Sequence, residues 1–249
     1  MITTAEVVAV VFLATIIRSA IGFGEALVAV PLLALVIPVE VAAPLAVLVS
    51  ITVALVVVAS DWRRIHFRSA ILLVVPTFFG IPFGLLMLKT APESAVKIAL
   101  AVIIISFSIW SLVRGAHIEL KSDRLAALFG FAAGILGGAY GMNGPPLAVY
   151  GSLRKWTPAN FRATLQGYFL PASIAGMAGY WSTGLWTQAV NRYFLFSLPG
   201  ALAAIALGRA INRRTHPHRF GLYVHIGLIV IGFILLAQAI APIRLDRLR

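Results

Sequence analysis

The stretch GGAYGMNGPP, residues 137–146, interrupts an apolar run that extends over residues 125–153. A second interruption, GFGE at residues 22–25, divides the apolar run 5–37. Each run is about thirty residues long, more than the roughly 20 residues with which a helix crosses a ~30 Å hydrocarbon layer. Glycine and proline interrupt helices, because glycine lacks conformational restraint and proline lacks an N–H donor. We therefore predict two broken helical segments within a membrane.

Six unbroken apolar runs accompany the two broken ones, at residues 39–60, 69–88, 93–113, 158–181, 189–211 and 218–241. The chain is 61% hydrophobic and only 11% charged, whereas a soluble domain carries about 25% charged residues. These features predict an all-α integral membrane protein with eight hydrophobic segments. We expect a single membrane transport domain over residues 1–249.

The two halves resemble one unit written twice. Six glycine, proline and tryptophan residues of the first half recur 119 to 125 positions later: Gly22 with Gly141, Pro38 with Pro158, Trp62 with Trp186, Pro76 with Pro199, Gly84 with Gly208, and Pro92 with Pro217. A self-similarity at a fixed period indicates a repeat. We expect repeat one at 1–113, a charged linker at 114–124 and repeat two at 125–249.

The charges of the loops bear on how the halves are oriented, because Lys and Arg accumulate on the cytoplasmic side. If all eight segments cross the membrane, the basic residues divide ten against nine, which is no bias. If the two broken segments enter and leave on the same side, the division becomes thirteen against six; Arg18, which lies inside an apolar run, is left out of both counts. We therefore predict six crossings, two re-entrant hairpins and inverted halves. The three arginines of the C-terminal tail argue against the periplasmic termini that this arrangement requires.

Composition also excludes several functions. The net charge of +12 comes from small groups of basic residues between apolar runs, with no continuous basic face for nucleic acid. The absence of cysteine excludes disulfides and thiol ligands. The sequence carries no nucleophile elbow, zinc-protease motif or phosphate-binding loop. We expect no enzymatic activity, no catalytic residue, no metal and no cofactor.

Paired, broken segments in inverted halves are typical of transporter sites. A helix that restarts after a break has free N–H groups and a positive dipole end, which together favour an anion. Gly144 allows a ligand to approach the main chain, and Pro145 at the first turn gives up no needed donor. Asn143 is equally suited to capping that turn and to hydrogen bonding a substrate.

Glu25 is the most informative single residue. It lies at the first break with apolar sequence on both sides, and an ionisable side chain at such depth is a functional candidate. Burial disfavours the charged form of a carboxyl group, so one interpretation is a proton carrier or a substrate contact. The other is a structural ion pair with Arg18, which lies seven residues earlier.

Two polar residues begin the sixth apolar run. Arg162 and Gln166 are four residues apart, so a helix places both on one face. Arg162 is suited to clamping an oxyanion through its forked donors, and is equally a positive-inside residue beside Arg154 and Lys155. Three tyrosines are candidates either for a polar path or for helix packing: Tyr140, Tyr150 and Tyr168.

The two breaks resemble the motifs of the TauE/SafE family of sulfite and organosulfur-anion exporters. Gly22-Phe23-Gly24 leads to Ala29-Val30-Pro31, and Gly137-Gly138 leads to Gly141-Met142-Asn143-Gly144-Pro145-Pro146-Leu147. The resemblance implies a bacterial inner-membrane permease that moves sulfite, sulfoacetate or a related anion, coupled to protons. This sequence departs from the family pattern at Glu25, where a small residue is usual, and also carries Asn143.

We expect the substrate-binding residues to be Gly22, Phe23, Gly24, Glu25, Tyr140, Gly141, Met142, Asn143, Gly144, Pro145, Arg162 and Gln166. Glu25 and Arg18 are expected to couple transport to protons. The expected partners are a small anion, protons and the lipid bilayer, and a homodimer is compatible with the sequence. The alternative function is a membrane-embedded accessory or assembly subunit that transports nothing itself.

Overall fold

The computed structural model describes residues 2–21, 23–61, 67–113, 119–120, 122–214 and 217–246. Within these ranges the regular structure is helical, with no strand and with a short 3-10 turn at Asp123–Leu125. The ten described helices are α1 Ile2–Ile21, α2 Glu25–Leu33, α3 Val39–Asp61, α4 Phe67–Thr90, α5 Glu93–Val113, α6 Ala126–Tyr140, α7 Gly144–Leu153, α8 Pro158–Ser182, α9 Gln188–Arg214 and α10 Pro217–Asp246.

Five of these helices are long and apolar enough to cross a membrane. The candidate spans in the described part of the chain are Thr3–Ala20, Val39–Val56, Phe67–Thr90, Glu93–Val113 and Gln188–Ile211, with a shorter apolar stretch at Leu228–Ile240. The set differs from the six predicted crossings in three respects, the first being that α10 contributes only the shorter stretch Leu228–Ile240. It includes α1, which the sequence assigned to a re-entrant hairpin, and it omits α8, whose first turns carry Asn160, Arg162 and Gln166. The division into crossings and hairpins therefore stays a prediction.

Large apolar side chains lie on the outer surface of the helix bundle, and several charged and polar side chains lie inside it. Phe79 and Phe83 of α4 are 68% and 59% exposed, whereas Arg18, Glu25 and Thr77 are buried. A soluble protein rarely exposes such an apolar surface, and charged residues inside membranes usually face the interior of the helix bundle. The arrangement is that of a chain whose main solvent is hydrocarbon.

The structure places both helix breaks at the glycine clusters. α1 ends at Ile21 and α2 begins at Glu25, after Gly24 with a left-handed φ of 94°. α6 ends at Tyr140, and Gly141 follows with φ 65°. Left-handed backbone is easily adopted only by glycine. Gly22, the other glycine of the first cluster, lies outside the described residues.

The helices of each half pack reciprocally on those of the other half. The most extensive contacts join α4 to α6 and α1 to α9, so the fourth helix of each half packs on the first helix of the other. A Cβ at Gly84 would overlap the carbonyl oxygen of Ile135, and one at Gly208 would lie 2.7 Å from the carbonyl oxygen of Ile16. Gly84 and Gly208 are 124 positions apart, and Ile16 and Ile135 are 119 apart. The same close contact therefore occurs twice with the halves exchanged.

Candidate functional site

A small cavity lies where the two helix breaks meet. Its volume is about 20 Å³, and it is lined by residues 24–27 of the first break and 141–144 of the second. Arg18 of α1, Ser50 of α3 and Phe169 of α8 complete the lining. A cavity of this size holds about one water molecule. The site is therefore formed by both halves, and its free space is smaller than a multi-atom anion.

The start of α2 directs main-chain donors at this cavity. Glu25 is the first helical residue, and Val28 N donates to Gly24 O at 3.1 Å. The N–H groups of residues 25–27 consequently have no acceptor within the helix. They form the positive end of the α2 dipole, which favours negative charge.

The start of α7 offers fewer donors. Gly144 begins the helix, and the next two residues are Pro145 and Pro146, which have no N–H. A Cβ at Gly144 would lie 3.7 Å from the Phe23 ring, an ordinary contact distance, so the two breaks lie close together at this point. Main-chain donors at the site therefore come mostly from the first half.

A buried ion pair occupies the centre of the site. Arg18 Nη1 donates to Glu25 Oε2 at 2.5 Å and to Ser50 Oγ at 2.8 Å. Thr15 Oγ1 donates to the other carboxylate oxygen of Glu25 at 2.8 Å. Both charged side chains are at most 3% exposed. The carboxylate and the guanidinium thus neutralise each other in the interior of the protein.

The guanidinium of Arg18 is further held from α8. Its Nη2 donates to Gln166 Oε1 at 2.8 Å, and its Cζ lies 5.2 Å from the centre of the Phe169 ring. Its Nε is buried and has no hydrogen-bond acceptor among the described residues. Because guanidinium carries five donors and cannot deprotonate in a protein, Arg18 keeps an unused donor at the edge of the cavity.

Asn143 takes part in a directed chain of hydrogen bonds. Its Nδ2 lies 3.3 Å from the Ala133 carbonyl oxygen and 3.4 Å from Tyr168 Oη. Tyr168 Oη is 2.6 Å from Thr77 Oγ1, which donates to the carbonyl oxygen of Gly130. Asn143 occupies the N-cap position of α7, but its side chain makes no capping hydrogen bond. Its amide hydrogens serve these protein acceptors, although its side chain lines the cavity.

The other predicted site residues lie at different distances from the cavity. Phe23 packs edge-on against Phe161, with ring centres 5.8 Å apart. Tyr140 is fully buried and donates to the Val96 carbonyl oxygen at 3.0 Å, away from the cavity lining. Pro145 is buried in α7 beside the cavity lining. The backbone of Arg162 belongs to α8, but its side chain, like all of Gly22, lies outside what the structure describes.

Sequence reasoning missed the hydroxyl residues around the ion pair. Ser50 accepts from Arg18 and also from Ser173 Oγ at 3.3 Å. Ser50 and Ser173 are 123 positions apart, within the range of offsets expected for the repeat, and their hydroxyl groups contact each other. The combination of a repeat offset with a polar residue in an apolar run was the signal available in the sequence. Thr15 carried only a weaker signal, an isolated hydroxyl three residues before Arg18.

A family model described as Sulfite exporter TauE/SafE matches residues 7–235. The chain belongs to this family. TauE/SafE proteins are transporters and not enzymes, and together with the long apolar helices this makes the chain a multi-pass membrane transporter of the exporter type. Comparisons with curated proteins and with solved structures found no match.

Proposed function

We propose that this chain is a secondary transporter that moves a small anion across the bacterial inner membrane, with sulfite or an organosulfonate such as sulfoacetate as substrate and protons as the coupling ion. One observation carries the proposal: the cavity between the two breaks brings together the positive end of α2, a buried arginine and a buried carboxylate. Each of these groups interacts with an anion or a proton, and all three belong to the part of the fold that both halves build.

The proposal includes an inverted duplication of residues 1–113 and 125–249, with each broken segment acting as a re-entrant hairpin. It is supported by the exchanged packing of α4 on α6 and α1 on α9 and by the contact between Ser50 and Ser173. In transporters built from inverted repeats, the two halves rock against each other around a fixed central site. The cavity beside Ser50 lies at such a position.

In the proposed site, the N–H groups of residues 25–27 and the guanidinium of Arg18 hold the oxygens of the anion. Arg18 provides forked, charged donors, which suit planar or tetrahedral oxyanions. Gln166 and Ser50 orient Arg18 through the hydrogen bonds described above. Glu25 is the proposed coupling group, because it is the only carboxylic acid among the described side chains that line the cavity, and a carboxyl group can carry a proton.

Reconstitution of the purified chain in liposomes tests this function. We expect saturable uptake of at least one labelled anion among sulfite, sulfoacetate, thiosulfate and simple carboxylates. Arg18→Gln should reduce uptake by roughly 10- to 100-fold, the effect of losing a hydrogen bond to a charged group. The exposed Arg192 of α9 provides the matched control, and Arg192→Gln should retain uptake.

The alternative function, an accessory subunit, makes the opposite prediction. Folded and inserted protein would then give no uptake of any tested anion above that of empty liposomes. Equal uptake by the wild type and by folded Arg18→Gln protein would leave transport in place but remove Arg18 from the substrate site.

A further inference from the structure

The charges of the side chains at the site determine its net charge when an anion binds. Arg18 is the only cationic side chain, and Glu25 the only anionic one, that the structure describes at the cavity. They are already paired with each other at 2.5 Å. An anion that joined this neutral pair would leave one uncompensated negative charge inside the protein, which is strongly unfavourable.

A proton on Glu25 removes this excess charge. The protonated carboxyl no longer attracts the guanidinium, so Arg18 is free to pair with the anion, and the site is again neutral. Resting on the proposed function, we infer that the transported anion and the Glu25 carboxylate compete for Arg18, so that each anion binds together with one proton. The transporter then moves the anion and the proton in the same direction.

Among the residues that the structure describes, no other group around Glu25 can accept a proton in this role. From α1 it faces Thr15 and Arg18, and the Arg18 guanidinium in turn contacts Ser50 of α3 and Gln166 of α8. Hydroxyl and amide groups do not titrate near neutral pH, and arginine keeps its proton. Residues 141–144 of the second break add no ionisable side chain to the cavity.

The competition determines the sign of the coupling. Two ligands that must bind together show positive linkage, and binding of either one raises the affinity for the other. Exchange of an anion for a proton requires the reverse, a carrier that holds one or the other. The empty site contains the Arg18–Glu25 pair and is neutral, and so is the site loaded with a monovalent anion and a proton. Because neither form carries a net charge, the transporter can switch the side of the membrane to which the site opens in both forms. Export then follows the concentration difference of the anion, and a proton leaves with it.

Proteoliposomes containing a trapped pH-sensitive dye distinguish the two signs of coupling. The probes are isethionate and methanesulfonate, because each is a monovalent anion whose sulfonate group remains ionised and neither has a carboxyl group that could carry a proton of its own. With equal pH on both sides and the probe added outside, we expect anion uptake to acidify the lumen. Isethionate uptake should also be insensitive to a membrane potential imposed with potassium and valinomycin, because one negative charge and one proton enter together.

Alkalinisation of the lumen, or uptake without a pH change, would overturn the inference while leaving anion transport intact. Absence of uptake of both probes and of every anion in the wider screen would instead remove the proposed function itself. The wild-type protein decides between these outcomes, so the test does not depend on the folding of a variant.

Glu25→Gln provides a second, independent readout. The empty variant carries an unpaired buried guanidinium, so its return step should slow by roughly 100-fold or more, and net uptake with luminal acidification should be lost. Exchange of labelled for unlabelled anion, which avoids the empty state, should remain measurable. Glu40→Gln, a change at the start of α3 outside the cavity lining, should behave as the wild type. Loss of exchange together with net uptake in folded Glu25→Gln protein would contradict the competition.

Discussion

At the scale of single residues, the buried pair of Arg18 and Glu25 is the feature with the greatest energetic consequence. Removing one partner of a buried ion pair leaves an uncompensated charge and costs about 3–5 kcal/mol of unfolding free energy. We expect this loss in Glu25→Gln, because a guanidinium cannot deprotonate to relieve it. The double variant Arg18→Gln with Glu25→Gln should recover most of the loss, since it leaves no charge behind.

The pH dependence separates the two single variants. Arg18→Gln leaves a carboxyl group that can take up a proton, so its unfolding free energy should approach that of the wild type as the pH falls. Glu25→Gln should show no such recovery. Thermal unfolding of the four proteins in detergent at acidic and neutral pH measures the double-mutant cycle. Additive effects of the two changes would show that the side chains do not interact.

The sequence allowed part of this site to be predicted. The spacing of Arg18 and Glu25 suggested a pair, and the structure has that pair, although it forms across the helix break and not along one continuous helix. Gln166, which was expected at the substrate, accepts a hydrogen bond from Arg18 in the structure. Ser50 comes from a different helix, and nothing in its local sequence shows which helix faces it. Whether the predicted residues bind substrate stays a prediction.

At the scale of helices, the two contacts between α4 and α6 and between α1 and α9 depend on glycine. Gly84 and Gly208 allow the opposing main chain to approach closely, as small residues do between membrane helices. We expect Gly84→Ala and Gly208→Ala each to lower stability by about 1–3 kcal/mol, the usual cost of overpacking. Similar losses would agree with their equivalent positions in the repeat.

Gly200→Ala provides the matched control on the same helix as Gly208. Its added Cβ would lie 3.7 Å from Phe12, an ordinary contact, and alanine favours helix more than glycine does. This variant should be neutral or slightly stabilised in the same thermal assay. Equal destabilisation of all three variants would mean that helix packing does not distinguish these glycines.

The sequence predicted where helices are interrupted better than how far they extend. The positions of the breaks depend on the local chemistry of glycine and proline, which is visible in the sequence around Gly24 and Gly141. The role of α1 was less accessible, because Thr3–Ala20 is by itself long and apolar enough to cross the membrane. Whether a helix crosses the membrane depends also on the helices packed around it, and the hydrophobicity of its own sequence does not show which helices these are.

At the scale of the whole molecule, the unequal loop charges and the exchanged helix contacts support the same arrangement. Thirteen basic residues against six favour re-entrant broken segments, and the contact of Gly84 with α6 is repeated by that of Gly208 with α1. The odd number of crossings proposed for each half would make the halves inverted.

The topology can be tested with single cysteines, because the natural chain contains none. Pro38 and Lys155 follow the two broken segments, and both side chains are exposed. If each broken segment returns to the side from which it entered, Pro38→Cys and Lys155→Cys should react with a membrane-impermeant maleimide from opposite sides of the membrane. Lys89→Cys, at the end of α4, should react from the same side as Pro38→Cys under either arrangement and serves as the reference. Reaction of Lys155→Cys from that same side would mean that the second broken segment, α6 and α7, crosses the membrane, and the pair of re-entrant hairpins proposed for the central site would then be wrong.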